Sequence, residues 1–168
     1  LQGWIEPPFH FTYLGFEWIA PWPGTWIYVH IAVLGLLAVA IAVGWHYRIV
    51  SSLFFVGFTY LFLLEQARYL NHFYLVCLVS LLMIFIPAHH AFSLDVQSGR
   101  LARRRVVRAW TVWILRAQIA VVYFFGGVAK LNGDWLRAEP MRPWLADRTD
   151  MPILGRLFEF ESSAWLFS

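Results

Sequence analysis

An all-α, polytopic transmembrane helical bundle with at least four spans is the fold class this sequence predicts, on three observations. Of 168 residues, 60% are hydrophobic and only 14% are charged, whereas soluble domains carry about 25% charged residues. The chain holds ten tryptophans, and indoles collect at bilayer interfaces. Its apolar runs approach the ~20 residues that a bilayer crossing requires and are separated by short polar or proline-containing breaks. The one cysteine, Cys77, lies inside an apolar run and reads as packing rather than as a sign of redox compartment.

The elements follow in order. Residues 1–25 hold Pro7, Pro8, Pro21 and Pro23 among many aromatics. They predict an interfacial segment, with a short interfacial helix over 9–18, because prolines at both ends prevent a span. The first span is expected over 26–45, and His46-Tyr47-Arg48 makes the turn after it. A second, short span is expected over 49–64, extendable through Glu65-Gln66, and a third over 73–86, where Pro87 stops it. A polar loop, 88–109, precedes the fourth span over 110–129. Beyond it, residues 135–168 contain Pro140, Pro143 and Pro152 and predict a second interfacial segment, with a helix from Ile153 onward. The whole of 1–168 reads as a single transmembrane domain, a portion of a longer protein. The first residue is not methionine, and another apolar stretch begins at the last few.

The net charge of +3 is concentrated in Arg100, Arg103, Arg104, Arg105 and Arg108. Bracketed by apolar spans, this cluster suits a cytoplasmic loop under positive-inside bias and argues against a nucleic-acid surface. Alternation then places Glu65 to His72 and Lys130 to Trp135 on the outer or lumenal side. Arg68, Arg137, Arg142, Arg148 and Arg156 run against the bias without reversing it. The expected location is a bacterial inner membrane, or the endoplasmic reticulum membrane for a eukaryotic chain.

Lys130 is the residue that asks for an explanation. It ends a long apolar helix within Tyr123-Phe-Phe-Gly126-Gly127-Val-Ala-Lys130, and an amine at a membrane boundary snorkels, pairs or reacts. As a base it must populate its neutral form, which requires desolvation to bring it down from about 10.4. Asn71 and His72 are expected on the same face and would orient that amine or a substrate oxygen; the plainer reading is an interfacial anchor beside a polar turn. Arg116, Tyr123 and Lys130 are spaced by seven and therefore share a helix stripe. Gly126 and Gly127 would admit a helix or a flat ligand close to the backbone. Ser93 and Asp95 open the basic loop and are placed to cap or tie it. Arg116 and Gln118 lie inside the fourth span, where hydrogen bonding within the bundle, to Asp95 in preference to Glu65 on the far side, is expected to offset their burial. His46, His89 and His90 lack a completing carboxylate or cysteine at ligand spacing, so no metal is expected.

Taken together the segments resemble the membrane domain of the vitamin K-dependent gamma-glutamyl carboxylase family and its bacterial relatives. The likeness runs from Trp26 to Trp135. Its strongest stretch is Leu115-Arg116-x-Gln118-Ile119-x-Val121-Val122-Tyr123-Phe124-x-x-Gly127-Val128-x-Lys130-Leu131-x-x-Asp134-Trp135. Tyr47-Arg48-Ile49, Asn71-His72-x-Tyr74-Leu75 and His90-x-x-Ser93-x-Asp95 extend it in order. The resemblance implies Lys130 as catalytic base and Asn71 and His72 as its partners. It implies deprotonation of reduced vitamin K, reaction with O2, removal of a γ-proton from a glutamate side chain and addition of CO2. The products would be γ-carboxyglutamate and the quinone epoxide. A glutamate-containing peptide or protein would be the substrate, with Tyr123, Gly126 and Gly127 lining the quinone cleft, membrane lipids as surroundings and no nucleic acid as partner. The animal enzymes carry two adjacent lysines where this chain has Ala129-Lys130, so one amine must suffice here. Two other classes stay open: a quinone- or lipid-handling membrane enzyme of the same fold, and a non-catalytic membrane scaffold or transporter subunit.

Overall fold

The computed structural model describes residues 11–139 and 141–148. The helix expected from Ile153 lies outside them. The described residues are all-α, with no strand among them. The long helices are α1 (Trp26–Val43), α2 (Tyr47–Leu63), α3 (Asn71–Phe85) and α5 (Ala109–Ala129). Short helices α4 (Leu94–Gln97), α6 (Gly133–Leu136) and α7 (Met141–Ala146), with 3-10 turns at Gln66–Arg68 and Ala88–His90, complete the order. Two of these, α1 and α5, are long and apolar enough to cross a membrane, while α2 and α3 are shorter apolar helices. The chain divides into two compact units, Leu1–Leu115 and Arg116–Ser168.

In the first unit α2 packs against both α1 and α3. Gly57 permits the close approach to α1, since a Cβ there would stand 3.0 Å from Leu34 Cδ2, and its carbonyl lies 2.9 Å from His30 Nε2. On the other side the Tyr47 hydroxyl donates to the Met83 carbonyl of α3 at 3.0 Å, and Phe58 meets Phe73 edge to face. Few apolar side chains are enclosed: Ile27 and Leu34 alone are buried on α1. Helices this apolar and this exposed are what a lipid solvent accommodates.

Helix ends depart from the sequence expectation by a few residues, each for a local reason. The first stops at Val43 because Gly44, at φ 67°, turns left-handed and returns its N–H to Ala40 and Ile41, the glycine C-cap geometry. His46 then adopts φ 41°, uncommon for a side-chain-bearing residue, and α2 begins at Tyr47 instead of Ile49. It does not run on through Glu65-Gln66: Glu65 is extended and caps the following 3-10 turn by accepting from Ala67 N–H. The third helix ends at Phe85 because Ile86 precedes Pro87 and is extended, as the pre-proline position favours. The interfacial helix expected over 9–18 does not form within the described residues, where 11–18 make turns. Within the segment expected to be interfacial, α7 forms at Met141–Ala146, and α6 at Gly133–Leu136 runs into its start.

Gly44 gives a direct check on this frame. A Cβ there would collide with the Ser93 side chain, and the positive φ disfavours any L-residue. Gly44→Ala is expected to cost about 2 kcal/mol or more, read as a lowered unfolding midpoint of the detergent-solubilised protein; an unchanged midpoint would contradict the tight turn.

Candidate functional site

Two clusters of polar contacts in the first unit lie at the ends of its helices. At one end, the α1–α2 turn is tied to the loop that follows α3. Asp95 Oδ1 accepts the His46 N–H at 2.9 Å and Oδ2 accepts the Tyr47 N–H at 3.1 Å. These are first-turn donors of α2, which the helix itself leaves without partners. The Asp95 N–H donates to the Gly44 carbonyl at 3.1 Å, and Arg100 Nη1 stands 3.6 Å from Oδ1. Ser93 caps α4 by accepting from Val96 N–H at 3.2 Å and donates to the His89 carbonyl at 2.6 Å. The His89 ring stacks on Tyr47 with centroids 4.6 Å apart. Thus Tyr47, His89, Ser93 and Asp95, separate in sequence, form one buried polar knot. The capping role expected for Ser93 and Asp95 is what they perform. Around Asp95 stand the His46 and Tyr47 amides and Arg100.

At the other end, Glu65 accepts from Phe11 N–H at 3.2 Å and from Ala67 N–H at 3.3 Å. Gln66 N–H donates to the Phe11 carbonyl at 2.7 Å, and Tyr13 stacks on Phe62. The incoming chain is therefore clasped to the α2–α3 connection. Sequence reading missed this clasp; an acid directly after an apolar run, two residues ahead of a free N–H, was the available signal. Asn71 and His72 open α3 just beyond it. Both are exposed, and His72 contacts the Phe73 ring edge-on at 4.9 Å.

Lys130 belongs to the second unit. Its placement is local: Asn132 Oδ1 caps α6 by accepting from Asp134 and Trp135 N–H at 3.1 and 3.0 Å, while its Nδ2 donates to the Ala129 carbonyl at 2.8 Å. One side chain thus closes α5 and opens α6. The turn brings Lys130 Nζ to 4.5 Å above the Trp135 ring, within cation–π reach. Tyr123 is exposed on α5, and a Cβ added at Gly126 or Gly127 would meet nothing within 4 Å. The structure brings together Lys130 with Trp135, and Asn71 with His72; the two pairs lie in separate units. Among the described residues, no group of three or more His, Cys, Asp or Glu is placed to hold a metal ion.

Comparison with known proteins matches the chain to the HTTM domain over residues 1–168. No solved structure matches it.

The polar knot has a defined acid response. Burial pushes the His89 imidazole below its usual range, the neighbouring His90 adds to this, Asp95 opposes it and Arg48 reinforces it. The unfolded chain then takes the proton first, so the stability from neutral His89 is complete above about pH 6.5 and is lost as pH falls towards the lower folded value. The unfolding midpoint should drop as pH falls below about 6.5, and His89→Gln should flatten that drop; an equal slope in the variant would assign it elsewhere. For Asp95, burial acts upward but is outweighed by the His46 and Tyr47 N–H groups, with His46 and Arg100 adding to the lowering. Its contribution holds above about pH 3.9 and disappears as pH falls through the lower folded value. Asp95→Ala is expected to cost about 1–2 kcal/mol at pH 7, the typical loss of a helix cap, measurable by thermal unfolding in detergent.

Proposed function

The chain belongs to the HTTM-domain family, a domain found in vitamin K-dependent gamma-carboxylase-like proteins, and from that premise we propose that it is the membrane portion of a carboxylase-like enzyme. The reaction converts a peptidyl glutamate to γ-carboxyglutamate while reduced vitamin K is oxidised to its epoxide. Each turnover joins one CO2 to the γ-carbon; one oxygen atom of O2 enters the epoxide and the other leaves as water. The observation that carries this reading is the family match across the whole chain, together with the ordered motifs ending in Lys130 and Trp135.

Reduced vitamin K supplies the reducing power and, with O2, the strong base that the γ-proton demands. The chain's own residues have narrower tasks. Lys130 takes a proton from the hydroquinone hydroxyl, and its Nζ stands 4.5 Å from the centre of the Trp135 ring. The exposed Tyr123 ring and the open surface at Gly126 and Gly127 suit a flat apolar ring laid against α5. His72 and Asn71 supply an imidazole and an amide to orient a substrate oxygen or stabilise negative charge on it. The exposed apolar surfaces of α1 and α5 support a membrane location, with Lys130 on the outer or lumenal side.

Carboxylation of a glutamate-containing peptide, with reduced vitamin K, O2 and labelled bicarbonate, tests the proposal. Lys130→Ala is expected to lower label incorporation by about 10²-fold or more while the unfolding midpoint stays unchanged. Full incorporation in the variant removes Lys130 as base. No incorporation by folded wild-type protein across several peptides favours the quinone- or lipid-handling alternative.

A further inference from the structure

The arginines of the basic loop are not equivalent. Arg100 faces the Asp95 carboxylate, and Arg103 lies over the Phe92 ring at 5.1 Å. Arg104 and Arg108 instead line a cleft of about 230 Å³ together with Arg48 from the start of α2 and with His90. All of these belong to the first unit. The wall is fixed by backbone and hydroxyl contacts rather than by the cations. Arg104 N–H donates to the His90 carbonyl at 2.9 Å, and the buried Thr111 hydroxyl donates to the Arg108 carbonyl at 2.7 Å.

Three arginines line this one cleft, and like charges gathered in one place favour an anion among them. No aspartate or glutamate lines it. The cleft also meets the first turn of α5 at Trp110 and Thr111. That turn carries no acidic residue, and it adds the positive end of a 21-residue helix to the same place. His90 contributes a buried Nδ1 with no hydrogen-bond partner among the described residues. The remaining lining is apolar, chiefly Phe85, Val106 and Trp110. Arginine forks match phosphate oxygens in geometry and charge, and an apolar wall beside them suits an acyl chain. Positive-inside bias sets this loop at the inner leaflet, where anionic headgroups concentrate.

We propose that this cleft is a binding site for an anionic phospholipid, its phosphate held by Arg48, Arg104 and Arg108. The inference rests on the membrane location in the reading above and not on the carboxylation chemistry. A phosphate on a soluble molecule shares the headgroup's chemistry, so the test separates the two sources.

The full chain, purified in a neutral detergent, is offered phosphatidylglycerol, phosphatidylcholine or inorganic phosphate, and bound species are counted by native mass spectrometry. Phosphatidylglycerol should be retained at least tenfold over phosphatidylcholine and should resist millimolar inorganic phosphate. Arg48→Gln, Arg104→Gln and Arg108→Gln together should abolish the preference, at roughly fivefold per arginine. Arg105→Gln, Arg137→Gln and Arg148→Gln together, with the same change in charge, should preserve it. Equal loss in both triple variants, or displacement of the lipid by inorganic phosphate, overturns the lipid site. If the first triple variant fails to fold, Arg104→Gln alone, in the loop, must still lose about fivefold; full retention there also overturns it. Protein that needs detergent for extraction yet shows no headgroup preference sinks this site and leaves the membrane reading intact. Protein that is soluble without detergent sinks both.

Discussion

The bond on which the first unit depends is that of the Asp95 carboxylate to the His46 and Tyr47 amides. A chain this apolar has little polar surface with which to satisfy the ends of its helices. Unsatisfied amides are costly away from water. Asp95 meets two of them with one side chain and so fixes where α2 starts. From that start follow the stacking of His89 on Tyr47, the reach of the Tyr47 hydroxyl to Met83 and the left-handed His46. Its strained φ persists because the amide is held from outside the turn. The loop that carries Asp95 is the same loop that presents Arg104 and Arg108 to their cleft.

Much of the architecture was legible because apolar runs and proline stops are local signals. All four long helices lie where hydrophobic runs predict them, and Pro87 ends α3 as its chemistry requires. The errors sit at helix ends, where the deciding partner is distant in sequence. Nothing near Tyr47 announces that Asp95, 48 positions later, will cap it. Glu65 read as an extendable end of a span because its partner Phe11 lies 54 positions earlier. The helices α6 and α7 were hidden by the prolines around them, although Asn132 ahead of Gly133-Asp134 is an N-cap pattern.

The proposed reaction centre was legible in kind more than in geometry. The run ending in Lys130 marks the amine, and Asn71-His72 marks the opening of α3, both from residue type and order. The contact with Trp135 is set by the double use of Asn132, which hydrophobic periodicity does not encode. Burial patterns add a contrast: Ser93, Asp95 and His89 are enclosed and hold helix ends together, whereas those proposed for chemistry, Lys130, His72 and Asn71, are exposed.

The separation between His46 and Asp95 also imposes an order of events during synthesis. The α1–α2 turn emerges 49 residues before the carboxylate that completes it. At the usual ~5–20 residues per second, about 2–10 s pass before Asp95 exists. Through that interval the turn's amides must find other partners, so the α1–α2 hairpin emerges as an unfinished pair. Its register is fixed only when residues 93–95 arrive, which makes the basic loop the step at which the nascent domain commits to its fold.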